Sequence, residues 1–150
     1  MKLSILLFFV VLPFSGFSQV KTYTTFPILA DSEKPLWKEY EKAKNVKVEN
    51  DSSFSFDLKG NHFKITAYPN GVKNKKIVKS ELTKNKNDKD SIIETRFFLV
   101  PSDYIEQKVL IVQVSYIYEK ASGTFKEFWM VPLMFFRDIN DARKEYKISQ

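Results

Sequence analysis

The chain has 150 residues, 24 basic and 18 acidic side chains for a net charge of +6, one histidine and no cysteine. That length suits one domain, and the lack of thiols beside a single imidazole excludes disulfide scaffolds, thiolate nucleophiles, cysteine–histidine zinc sites and c-type haem attachment. The glycines Gly16, Gly60, Gly71 and Gly123 give no phosphate-cradling spacing, so the sequence argues against a nucleotide enzyme.

The N-terminus reads as a cleavable secretory signal over residues 1–18. Lys2 supplies the charged start, residues 3–12 the apolar run, and Pro13 breaks it, with Gly16 and Ser18 as the small residues before a cut at Gln19. A spanning helix needs about 20 apolar residues, more than this run offers. The segment resembles the Sec signals of Gram-negative bacteria, and no cysteine follows it to carry a lipid. The expected product is residues 19–150, exported without a lipid anchor to the periplasm or beyond, and stable on its core alone.

Residues 19–30 suit an extended arm or edge strand, with Tyr23, Phe26 and Ile28 around Pro27. Asp31 and Ser32 offer a capping oxygen and Pro35 fits a first turn, so a helix is expected up to about Lys44. Its apolar stripe is Leu36, Trp37, Tyr40 and Ala43, which must be buried against another element. From Ser53 the period becomes two: Phe54, Phe56 and Leu58, a turn at Lys59-Gly60-Asn61, then Phe63, Ile65 and Ala67 form a hairpin. Asn70-Gly71 is a strong turn signal leading to a weaker strand over residues 77–82, followed by a polar loop over 83–90.

Residues 91–100 read as a strand with Ile93, Thr95, Phe97 and Leu99 toward the core. The longest strands, 108–119 and 124–137, are joined by a turn at 120–123 and are apolar on both faces over much of their length. Pro132 removes a ladder donor, which points to a bulge or a sheet edge. Residues 138–147 suit a terminal helix capped by Asp138 or Asn140. The chain is therefore expected to be mainly β with minor α: an antiparallel six- to seven-stranded curved sheet, sandwich or small barrel. One N-terminal helix would cover the back of the sheet, and a short C-terminal helix would follow.

The chemistry in the sequence is sparse. A serine triad would have to be built on His62 with Asp57 across its turn, yet no nucleophile-elbow motif supplies the serine. Glu94, Asp103, Glu106, Glu119 and Glu127 are spread over the strands and loops without a spacing that singles out a carboxylate pair. No catalytic residue, metal or cofactor is assigned. The expected function is that of an exported, non-enzymatic binding or accessory protein for an apolar or amphipathic small ligand. Tyr116, Tyr118, Phe128, Trp129 and Met130 are the expected ligand-binding residues, combining aromatic walls with phenol handles.

Two alternatives stand beside that reading: an interaction subunit whose apolar sheet face meets a partner chain, and, less favoured, a carboxylate-dependent hydrolase. Seven lysines against Glu81 and Asp88 fall within residues 73–89. Among these, Lys73, Lys75, Lys76 and Lys79 are the candidate contact with an anionic surface. The segment has no arginine and no aromatic residue, so specific nucleic-acid binding is not expected.

Overall fold

The computed structural model describes residues 21–28, 36–77, 91–104 and 106–148. The predicted export signal, the helix cap at Asp31 and Ser32, and the polar loop over 83–90 lie outside them.

Seven strands are described, in two antiparallel sheets. A three-stranded sheet has the order β1 (Lys44–Asn50), β2 (Ser53–Leu58), β3 (Asn61–Thr66). A four-stranded sheet has the order β4 (Val72–Ile77), β5 (Ser91–Pro101), β6 (Val109–Glu119), β7 (Phe125–Phe136). Two short helices complete the described elements: α1 (Leu36–Tyr40) and α2 (Ile139–Tyr146). The arrangement is neither the single curved sheet nor the closed barrel that the alternation also allowed. The break lies at Tyr68-Pro69-Asn70, where the chain leaves β3, turns through the left-handed Asn70 and enters the second sheet as β4.

The β2–β3 hairpin forms as the sequence dictates. Lys59 and Gly60 both have positive φ, 50° and 75°, the two-residue geometry whose twist matches that of the strands it joins. Phe54, Phe56, Phe63 and Ile65 then point toward the second sheet and bury almost completely. They meet Phe98 and Val100 of β5, Leu110, Val112 and Val114 of β6 and Met130 of β7 in one continuous core. Phe54 lies 4.9 Å, ring centroid to ring centroid, from Phe98. Each fully buried side chain of this size contributes about 1.5–3 kcal/mol.

On β5 the expected positions Ile93, Thr95 and Leu99 are buried and Phe97 is partly so, but Phe98 and Val100 are buried as well. The even positions Phe98 and Val100 face the other sheet, while Leu99 lies on the outer face in a second core cluster with Val109, Ile111 and Ala142. Both faces are buried at this end of the strand, so alternation alone could not choose between them. Thr95 and Ser115 pair their hydroxyls at 2.9 Å on the outer face.

The helices also exchange roles relative to expectation. The N-terminal helix does not lie across the back of the sheet: it is one turn and a half long, packs beside β7, and inserts Tyr40 between the sheets against Phe26 and Phe56. It ends early because the amides of Lys42 and Ala43 bond back three residues, to Glu39 and Tyr40, and Asn45 then takes a left-handed φ of 52°. The released chain forms β1, a strand with only Val46 and Val48 as apolar residues, which the sequence reading passed over. Lys59 of the hairpin turn approaches the buried Glu39 carboxylate at 3.4 Å and ties α1 to the first sheet.

The C-terminal helix is the one on the outer face. Asp138 caps it by accepting from the amides of Asn140 and Asp141, and Ala142, Ile139 and Tyr146 pack over Leu99, Val109 and Ile111. At the opposite end of the chain, the arm over residues 21–28 is docked. The Phe26 amide donates to Pro101, the Asp103 amide donates to Phe26, and the Ile28 amide donates to the Asp103 carboxylate at 2.7 Å. The Tyr40 hydroxyl closes the arrangement by donating to the Pro27 carbonyl.

Pro132 sits on β7, the outer strand of its sheet, opposite Val112. The register there shows a bulge, with Leu133 the extra residue between the Val112 and Ile111 pairs. Both features expected of this proline therefore occur together.

Candidate functional site

The five residues expected to line one pocket are divided between two depressions. Phe128, Trp129 and Met130, with Val131, line a cleft of about 350 Å³ whose opposite wall is Tyr40 and Glu41 at the end of α1. Tyr116 and Tyr118 instead line a groove of about 410 Å³ bounded by residues 46–51 and by Glu94 and Arg96.

The first cleft is largely apolar. Four consecutive residues of a strand line it, although their side chains alternate between faces, so it runs along the backbone edge of β7, the outermost strand of its sheet among the described residues. Met130 is buried in the core, Phe128 packs on it, and Trp129 remains 43% exposed at the rim. Glu41 is exposed and sets one charge at the mouth. An amphipathic occupant could place its chain against Trp129 and Met130 and its polar end in water beside Glu41.

In the second depression Tyr116 has a structural task. Its hydroxyl accepts from the Val48 amide at 2.7 Å and donates to the Val46 carbonyl at 3.2 Å, so it occupies the outward-facing backbone groups of β1. Another strand cannot pair there while the phenol is in place. Burial pushes the Tyr116 hydroxyl above its ordinary value, and burial followed by the Glu94 charge does the same to Tyr118. Arg96 lies 3.4 Å from both Glu94 and Asp51.

The remaining sequence candidates separate. Lys73, Lys75 and Lys76 lie on β4, which begins at the Asn70-Gly71 turn and therefore precedes the strand expected over residues 77–82. Lys73 places its amine 5.5 Å from the Tyr146 ring centre, while Lys75 and Lys76 stand opposite Thr95 and Glu94 in register. Lys79 lies outside the described residues.

His62 does meet Asp57, its cross-strand partner, at 2.7 Å, and Asn45 donates to the other carboxylate oxygen at 2.6 Å. These contacts, Asn45 first, lower the Asp57 carboxyl below its usual range. Among the described residues no serine hydroxyl bonds His62, so the pair lacks a nucleophile to activate. Of the acids considered for hydrolysis, Asp103 holds the Ile28 amide, Glu119 accepts from the Ser122 hydroxyl, and Glu94 faces Arg96. No group of three metal-binding side chains converges among the described residues.

Tyr40, Glu41 and Val131 are the cleft residues that sequence reasoning missed. Tyr40 and Glu41 carried no spacing signal toward β7, because that contact depends on how a helix of five residues ends. For the groove, the available signal was Glu94 and Arg96, two charges on the face that continues as Phe98 and Val100. Comparison of the chain with family models, curated proteins and solved structures finds no match, so the reading of both depressions rests on their geometry.

Proposed function

We propose that this is an exported, non-enzymatic binding protein that holds the apolar part of a small amphipathic ligand in the cleft between α1 and β7. The supporting observation is the cleft itself, where Phe128, Trp129 and Met130 meet Tyr40 in about 350 Å³ of mainly apolar space. A volume of this order suits a small ligand or one alkyl chain. The absence, among the described residues, of a serine hydroxyl bonded to the His62–Asp57 pair favours binding over hydrolysis.

The test uses residues 19–150 with Trp37→Phe, so that Trp129 is the fluorescent reporter, titrated with the neutral apolar dye N-phenylnaphthylamine. Saturable energy transfer from Trp129, lost in Met130→Lys with the far-ultraviolet circular dichroism retained, supports the cleft. A linear, unsaturable response, or saturation unaffected by Met130→Lys, refutes it.

A second reading, an interaction subunit, draws on one observation: Phe125, Trp129, Leu133 and Met134 are all 43–48% exposed on the outermost strand of its sheet among the described residues. It predicts self-association or partner capture through β7. Sedimentation showing a concentration-independent monomer, unchanged by Leu133→Lys, removes the self-association form of that reading.

A further inference from the structure

The four-stranded sheet is longer than the sheet it faces. Strands β5 and β6 have 11 residues each, against six or seven in β1, β2 and β3, and the longer sheet extends beyond the outer edge of β1, where Tyr116 bonds Val46 and Val48. On that overhang the inward face no longer carries core residues. It carries Glu94 and Arg96 from β5, Tyr116 and Tyr118 from β6, and Phe125 from β7, with Asp51 of the turn opposite.

The three rings form one cluster. Tyr116 and Tyr118 are near parallel, 26° apart with centroids 6.4 Å distant, and Phe125 stands edge to face with Tyr118 at 6.0 Å and 69°. Phe125 is 48% exposed, so a ring face is available to a ligand. The polar groups beside the rings are only partly spent. Arg96 makes one contact of 3.4 Å to each neighbouring carboxylate, although a guanidinium carries five donors. The Tyr118 hydroxyl has no hydrogen-bond partner among the described residues, whereas Tyr116 is fully engaged with β1.

Charge selects among occupants. The lining includes Lys47 and Arg96 against Glu49, Asp51 and Glu94, so the most basic protein surface is elsewhere and a polyanion meets net repulsion here. An alkyl chain would strip water from these charges without replacing their hydrogen bonds. A polyhydroxylated ring satisfies both halves: its hydroxyls donate to Asp51 and Glu94 and accept from Arg96, and its C–H face lies on an aromatic ring.

We infer that the overhang is a binding site for a neutral oligosaccharide, stacked on the exposed Phe125 ring beside Tyr118 and hydrogen-bonded by the Asp51–Arg96–Glu94 cluster. This site is separate from the α1–β7 cleft and does not depend on its occupant. It engages by stacking and hydrogen bonding, and the Tyr116 bridge to β1 fixes its floor.

The experiment is a nuclear magnetic resonance titration of residues 19–150 with cellohexaose, maltohexaose and chitohexaose, and with heparin as the anionic comparison. At least one neutral hexasaccharide should shift the amides of Arg96, Tyr118 and Phe125 saturably, while leaving those of Trp129 and Val131 in place. Phe125→Ala and Arg96→Met should each weaken that binding about tenfold or more with unchanged melting temperature. Phe125 is exposed, so its variant keeps the test valid if Arg96→Met is unstable. Three outcomes overturn the inference: no saturable shift with any neutral hexasaccharide at millimolar concentration, binding that survives both substitutions, or heparin binding the same residues more tightly.

Discussion

Tyr116→Phe removes one oxygen that serves two backbone groups across the sheets, the Val48 amide and the Val46 carbonyl. Each hydrogen bond contributes about 0.5–1.5 kcal/mol net, and leaving a buried partner unmet costs about 1–3 kcal/mol. Val46 is buried but Val48 is only partly so, and the adjoining groove admits water to the freed groups. The expected loss is therefore about 1–2 kcal/mol, read from urea unfolding followed by circular dichroism at unchanged m value. Hydrogen exchange localises it: the Val48 amide should lose protection while Phe54 and Phe56 keep theirs. Tyr118→Phe is the control, since its hydroxyl has no partner among the described residues, and should stay within about 0.5 kcal/mol of the parent. A Tyr116→Phe protein as stable as the parent, with Val48 protection intact, would refute the bridge as a structural tie.

Alkaline pH should destabilise the fold. Burial raises the Tyr40, Tyr116, Tyr118 and Tyr146 hydroxyls above their ordinary value, so the unfolded chain loses these protons first. Stability is thus fully present below about pH 10 and falls as pH rises toward the folded values, and Tyr40→Phe should flatten the decline in melting temperature. At the acid end Asp57 behaves oppositely. Its lowered carboxyl gives stability above about pH 4 that is lost as pH falls through the folded value, so Asp57→Asn should lose less melting temperature than the parent between pH 6 and 3. Gly71→Ala would place a methyl group 2.6 Å from the Leu99 Cβ and 2.9 Å from the Tyr68 carbonyl, and should cost about 1–3 kcal/mol in urea unfolding. Phe56→Ala, which empties a fully buried position between Tyr40 and Phe63, should cost about 3–5 kcal/mol.

The elements with strong local chemistry were legible before any coordinates. The β2–β3 hairpin followed from Phe54, Phe56, Phe63 and Ile65 around Lys59-Gly60, and the β6–β7 hairpin and the Asp138 cap appeared where their residue patterns placed them. What escaped was set by tertiary context. Strand β1 has few apolar residues because it is an edge, and it is held through Ser55, Phe54 and the Tyr116 hydroxyl. The N-terminal helix stops after Tyr40 because the ring is needed between the sheets, a demand that helical periodicity does not express. Tyr116 and Tyr118 were expected beside Phe128 and Met130 because these strands are neighbours; Tyr116 does stand opposite Phe128, but its hydroxyl bonds β1, and the two sets line different depressions. The overhang is invisible in any one strand, since it arises from the difference in length between two sheets.

Intermolecular nuclear Overhauser effects test whether the α1–β7 cleft receives the apolar part of a ligand. With N-phenylnaphthylamine bound to residues 19–150, cross-peaks are expected from the dye protons to the Met130 methyl, the Trp129 indole and the Tyr40 ring. Saturable binding whose cross-peaks fall on Tyr118 and Phe125 or elsewhere, with none to Met130, would contradict a ligand in that cleft.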